Sequence, residues 1–171
     1  PGLFALLALA FAHAGQGQVV PATQVYQGLG KNDPEGASYT ASGLADLAIY
    51  EGRFSDAELI LTLGAAADMA AKVPDKAASK FAALADVHIL RRQKGAAVAA
   101  AEKALANSQA VKIRFLAARV FAEAGAAAKA QSLAAGLSAE LQAEPQAYAA
   151  IVEGLIALNS GDARQAIKAL T

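Results

Sequence analysis

The residues best suited to chemistry are few and widely separated in this sequence. Its two histidines, His13 and His88, have no histidine or acidic neighbours at the spacing of metal ligands. The chain contains no cysteine, which excludes disulfides, thiolate zinc sites and cysteine nucleophiles. It also has no Gly-x-Ser-x-Gly elbow, no phosphate-binding Walker loop and no paired-carboxylate motif. The sequence therefore predicts no catalytic residue, no metal site and no cofactor.

Charge and composition favour a protein partner. Fifteen basic residues balance fifteen acidic ones, so no net field attracts nucleic acid or an anionic membrane surface. The hydrophobic fraction of 56% is ample for a buried core. The apolar run at residues 2–14 is too short to span a bilayer, which needs about 20 residues. We therefore expect no membrane span and no nucleic-acid ligand.

The elements that position these residues are predicted to be helices throughout. There are 48 alanines, the best helix former, and apolar residues recur every three or four positions. No stretch alternates as a half-buried strand does, so the fold class is all-α with about ten helices. A polar loop is expected at residues 31–36. The candidate N-caps are Ser55, Asp75, Ser108 and Asp162.

The predicted helices form a series of repeated hairpins. The small residues of the first helices follow one another at steps of 37, 40, 33 and 36 residues, and those of the second helices at 35, 40, 33 and 36. Small side chains let helices approach to about 8 to 10 Å, so each pair is expected at a contact inside one hairpin. The first set is Ala8, Ala45, Ala85, Ala118 and Gly154, and the second is Ala22, Ala57, Ala97, Ala130 and Ala166.

Three segments resemble the tetratricopeptide repeat (TPR) family, whose unit has about 34 residues. They are Gly52-Arg53-Phe54-Ser55-Asp56-Ala57-Glu58, residues 154–170, and Glu102-Lys103-Ala104-Leu105, although the family's tryptophan is missing from every unit. The resemblance implies a right-handed α-α superhelix of about five helix-turn-helix repeats in one domain, residues 1–171. The units would be approximately 1–31, 37–73, 75–107, 108–142 and 145–171.

Both ends of the sequence lie inside the repeat pattern. The last unit stops at Thr171, where the family's second helix would continue. Because terminal repeats of a solenoid need polar caps, we expect a fragment of a larger protein that can self-associate through truncated terminal repeats. Alternatively, the apolar start is a signal peptide, since it ends in Ala12-His13-Ala14, an A-x-A cleavage pattern.

The TPR resemblance also implies a binding surface. In that family the first helix of each unit faces a concave side along which peptides bind. By position, this side would be acidic at Asp46 and Asp86, basic at Lys112 and Arg119, and apolar towards the end of the chain. The alternative is that the residues predicted to line this side are ordinary surface residues of the helices. The candidate partner-binding residues are Tyr39, Asp46, Asp86, Lys112, Arg119, Tyr148, Ile151 and Leu155.

The sequence thus predicts a non-catalytic module for protein–protein interaction, a scaffold or adaptor whose protein or peptide partner it does not identify. A regulatory or sensory repeat segment of a larger bacterial enzyme, such as a kinase, is the first alternative. A secreted cell-envelope factor is the second. The alanine content suits a bacterium with a GC-rich genome, and the expected location is the cytoplasm, with the periplasm as the alternative.

Overall fold

The computed structural model describes residues 2–31 and 34–171, so Pro1, Asn32 and Asp33, the last two within the predicted loop 31–36, lie outside the described residues. Within those ranges the chain forms ten α-helices and no strand, which confirms the predicted all-α class. The helices are α1 Leu3–Gly15, α2 Val19–Leu29, α3 Pro34–Tyr50, α4 Phe54–Ala70, α5 Pro74–Leu90, α6 Lys94–Asn107, α7 Val111–Ala124, α8 Ala127–Ser138, α9 Ala143–Asn159 and α10 Ala163–Leu170.

The same turn joins the two helices of every hairpin. One residue of each turn has a positive φ, and the amide of the next residue donates to the carbonyl five positions back, as from Arg53 N to Ala48 O at 2.8 Å. This is the 6→1 hydrogen bond of a Schellman motif, which ends the first helix of the hairpin. A similar turn with Lys72 at positive φ joins α4 to α5, between two hairpins. Within the hairpins, the positive-φ residues follow one another at steps of 35, 40, 33 and 36. They are Gly17, Gly52, Arg92, Gly125 and Gly161.

Only one of the four predicted N-caps is confirmed. Asp162 precedes α10 and accepts a hydrogen bond from the amide of Gln165 at 2.9 Å. Ser55 and Asp75 are instead the second residues of α4 and α5, inside the first turn. Ser108 is the C-cap of α6. No side chain caps α4, which begins directly after the turn at Gly52 and Arg53.

Nine of the ten small residues predicted at hairpin contacts are buried, but the prediction for Ala8 was wrong. Ala8 is exposed, and Ala10, which is fully buried, takes its place. Counted from Ala10, the first-helix residues follow at 35, 40, 33 and 36, the same steps as the turns and the second helices. The error arose because α1 is apolar on all sides, with Phe4 and Phe11 both exposed, so its periodicity does not identify the packed face.

The chain divides into two compact units, residues 1–80 and 81–171, with the boundary inside α5. The core of the first unit includes Leu7, Ala22, Tyr26 and Leu47, from three different helices. In the second unit every consecutive pair of helices from α6 to α10 is in contact, and α7 also packs against α9. The first helices of the last two hairpins are therefore neighbours, which brings their predicted binding residues together.

Candidate partner-binding surface

Two aromatic rings connect the first helices of the last two hairpins. Phe115 on α7 and Tyr148 on α9 stack with their centroids 4.1 Å apart and their planes 12° from parallel. The Tyr148 hydroxyl donates to Glu144 Oε1 at 2.8 Å, and this hydrogen bond raises the pKa of Tyr148. Both rings remain partly exposed. The pair forms a partly exposed aromatic platform, defined here as Phe115 and Tyr148.

The predicted apolar residues continue along α9 beside this platform. Ile151 is 38% exposed and Leu155 is half-buried. They lie three and seven residues beyond Tyr148, so all three side chains are on one face of the helix. Lys112, three residues before Phe115, is exposed. The surface of the second unit thus offers aromatic and aliphatic area with one lysine on α7.

Two of the predicted charged residues of the second unit, Asp86 and Arg119, pair with each other. Arg119 Nη2 on α7 donates to both carboxylate oxygens of Asp86 on α5, at 2.6 and 2.5 Å. Burial raises the pKa of Asp86, the Arg119 charge opposes that shift, and nearby Glu123 reinforces it. A cavity of about 220 Å³ is lined by Asp86, Ile89, Leu90, Arg119 and Glu123. Because Arg119 is already neutralised, it offers an acidic ligand less charge than the sequence suggests.

In the first unit, the two predicted residues of α3 have different surroundings. The Nζ atom of Lys76 lies 5.1 Å from the centre of the Tyr39 ring, a cation–π distance, and it also pairs with Glu35 at 3.1 Å. Asp46 is an exposed residue, yet neighbouring protein excludes enough water to raise the pKa of its carboxyl group. Burial raises the pKa of Tyr26, and the charge of Asp46 adds to that shift.

Sequence reasoning missed a buried polar cluster in the first unit, the Ser38–Asp68–Lys80 cluster. Lys80 Nζ donates to Asp68 Oδ2 at 2.5 Å and to Ser38 Oγ at 2.8 Å, and Ser38 Oγ donates to the same carboxylate oxygen at 3.1 Å. The sequence of α4 contains a signal for this buried cluster. Asp68 continues the buried face that begins with Ala57 and Leu61, where a carboxylate needs a partner.

The two histidines have the same structural role in different hairpins. His13 Nδ1 lies 2.6 Å from Gln18 Oε1, and His88 Nδ1 lies 2.8 Å from Gln93 Oε1. Each histidine lies two residues before the end of a first helix, and each glutamine directly follows the positive-φ residue of the turn. No group of three or more acidic, histidine or cysteine side chains suited to a metal occurs in the described ranges. Nor does any helix there combine the length and apolar character needed to cross a bilayer.

Comparison with known proteins identifies a shared fold. No family model matches the chain, and no curated protein matches it. Among solved structures, it is similar to the crystal structure of BtubC (BKLC) from P. vanneervenii, with a TM-score of 0.72 and 18% sequence identity. The match covers 96% of this chain and 75% of BtubC. At this identity the likeness establishes an all-helical, repeat-like architecture and carries no conclusion about partners.

Proposed function

We propose that this chain is a TPR-like module of five hairpins, arranged as a right-handed superhelix, that binds a protein or peptide partner without catalysing a reaction. The observation that carries the proposal is the common repeat register. The buried small residue of the first helix, the positive-φ turn and the small residue of the second helix all recur at steps of 35, 40, 33 and 36. Three features in one register are what stacked helical repeats require.

The partner surface we propose lies on the first helices of the second unit. Its centre is the platform of Phe115 and Tyr148, extended by Ile151 and Leu155. Aromatic side chains dominate many interfaces because they bury a large area with few rotatable bonds. The paired Asp86 and Arg119 contribute little net charge. The partner is therefore an extended segment with an apolar anchor residue, and Lys112 supplies the cationic contact.

In the first unit, Tyr39 and Asp46 are proposed as weaker contact residues. The ring of Tyr39 is half-buried and already faces the Lys76 cation, so it has less free surface than the platform. Asp46 is exposed at the surface of the same helix. A partner segment that binds the first unit would contact these two residues there.

The test is a comparison of binding affinities after a partner has been isolated with the intact chain. Replacing Tyr148 by alanine is expected to weaken binding at least tenfold, whereas Tyr148→Phe keeps most of the affinity because the ring carries the contact. Tyr50→Ala is the matched control, since Tyr50 is 73% exposed at the end of α3. Loss of binding in the Tyr50 variant with full binding in the Tyr148 variant would overturn the proposed surface.

A further inference from the structure

The Ser38–Asp68–Lys80 cluster is deeply buried. Lys80 is 2% exposed, Asp68 4% and Ser38 8%. Removing two charges from water is unfavourable until their mutual attraction offsets it, so such a cluster is not a general requirement of a helical repeat. The backbone accommodates the lysine, because a Cβ atom at Gly64 would lie 2.9 Å from Lys80 Cε.

Two adjacent cavities open onto this cluster, and both are lined by Ser38, Asp68 and Ala71. One has a volume of about 160 Å³ and the other about 330 Å³. The larger volume is at the lower end of the range for small-molecule sites. Apart from Ser38 and Asp68, the smaller cavity has apolar walls, which are Ala37, Gly64, Ala67 and Ala71. The rim of the larger one adds Glu35, Val73 and Lys76.

The cluster leaves one strong acceptor for a ligand. All the hydrogen bonds to Asp68 within the described part of the chain end on Oδ2. Its second oxygen, Oδ1, accepts no hydrogen bond from the described residues. It is nevertheless not one of the described side-chain atoms that are both fully buried and without a hydrogen-bond partner. Since Asp68 lines both cavities, Oδ1 reaches solvent through them. A molecule in the cavities would therefore be recognised by donating a hydrogen bond to this oxygen.

The charge balance determines the class of ligand. Lys80 already neutralises Asp68, and Lys76 pairs with Glu35 at the rim. A charged ligand would lose its hydration and find no uncompensated counter-charge, which is unfavourable in a partly buried site. We propose that the two cavities form a pocket for a small uncharged hydrogen-bond donor on a short aliphatic stem, namely a carboxamide or a primary alcohol. The group is supplied by a free molecule or by a side chain of a protein.

Propionamide is a suitable probe, because it has this donor and a stem of two carbons. Titration followed by ¹H–¹⁵N spectra is expected to shift the amide signals of Gly64 and Ala67 saturably. Propylammonium and propionate, of similar size but charged, should bind at least tenfold more weakly. Absence of saturable shifts with propionamide, or equal binding of either ion, would overturn the proposal.

A pocket-filling variant tests the location. Ala71 lines both cavities and is exposed, so Ala71→Leu should fill them without disturbing the core, and propionamide binding should be lost. Ala70→Leu is the matched control, because Ala70 is the exposed last residue of α4, directly before Ala71, and lines neither cavity. Equal propionamide binding by the two variants would place any bound molecule elsewhere and defeat the proposal.

The source of the group is distinguished by a second ligand, the peptide acetyl-Gly-Gln-Gly-amide. Tighter binding of this peptide than of propionamide assigns the pocket to a glutamine or asparagine side chain of a partner, and weaker binding assigns it to a free molecule. This inference does not rest on the proposed partner surface. Tyr148→Ala should leave propionamide binding unchanged, so the two proposals can fail separately.

Discussion

The ring of Tyr26 on α2 lies against Gly43 on α3, so closely that a Cβ atom at position 43 would be 2.2 Å from Tyr26 Cε1. Tyr26 is only 3% exposed, so its ring cannot move aside into solvent. We expect Gly43→Ala to reduce the free energy of unfolding by about 1–3 kcal/mol, the usual cost of overpacking a core. Urea denaturation followed by circular dichroism measures this loss.

Gly28→Ala on α2 is the control, because no atom beyond the local helix backbone and the two chain neighbours lies within 4 Å of the added Cβ. There the helix propensity of alanine should raise the stability by up to about 1 kcal/mol. If both variants were equally stable, the ring of Tyr26 would not occupy the space above Gly43.

Arg92 is the one hairpin-turn residue with positive φ that is not glycine, at φ 59°. A side chain in the left-handed region costs about 1–2 kcal/mol, part of which the entropy of glycine offsets. Arg92→Gly should therefore stabilise the protein by about 0.5–1 kcal/mol. The reciprocal change Gly52→Ala, with no atom near the added Cβ, should destabilise it by about 1 kcal/mol. Thermal unfolding of both variants checks the signs, and a stabilised Gly52→Ala protein would contradict the argument.

The ion pair of Lys80 and Asp68 predicts a strongly non-additive double-mutant cycle. Lys80→Met leaves a carboxylate buried without its counter-charge, which should cost about 3–5 kcal/mol of unfolding free energy. Replacing both residues, as Lys80→Met with Asp68→Leu, should recover most of that loss, since no unpaired charge remains. The exposed pair of Arg53 and Asp56 is the control, where Arg53→Ala should cost far less. Additive losses in the buried pair would show that the two charges act independently.

Much of the fold could be predicted from the sequence because alanine and leucine recur with helical spacing and turn residues interrupt them. The hairpin register followed from the small residues, except in α1, where Ala8 and Ala10 lie within a helix that is apolar on all sides. The left-handed backbone of Arg92 could not be predicted, since no glycine marks it.

The candidate site was less predictable, because side-chain pairing depends on how neighbouring hairpins align. Sequence spacing identified Asp86 and Arg119 as charged residues of first helices, but it did not show that they would neutralise each other. The burial of Lys80 could not be predicted from the sequence either. It depends on Gly64, on another helix, which leaves room for the lysine side chain.

The carboxyl group of Asp86 should titrate above the ordinary value of about 3.9. Burial is the main cause, so Arg119→Met should raise the pKa further and Glu123→Gln should lower it. Folded protein then binds more protons than unfolded protein between the ordinary and the raised pKa. The contribution of Asp86 to the free energy of unfolding therefore falls as pH rises through that window. Carbon-detected NMR titration of the side chain checks all three shifts, and a Glu123→Gln variant with a higher pKa would refute this explanation.

Ala10 and Ala8 provide a direct test of the hairpin register within a single helix. Ala10 is fully buried in the core of the first unit, whereas Ala8 is exposed. Ala10→Leu should destabilise the protein by about 1–3 kcal/mol through overpacking, while Ala8→Leu should change stability by less than about 0.5 kcal/mol. Because the two positions share α1 and the same substitution, differences in helix propensity cancel. Hydrogen exchange of the α1 amides in the two variants locates the effect. A greater loss of stability in Ala8→Leu would instead show that Ala8 is the packed residue of α1, as predicted from the sequence. The first hairpin would then depart from the common repeat register that supports the proposed TPR-like arrangement.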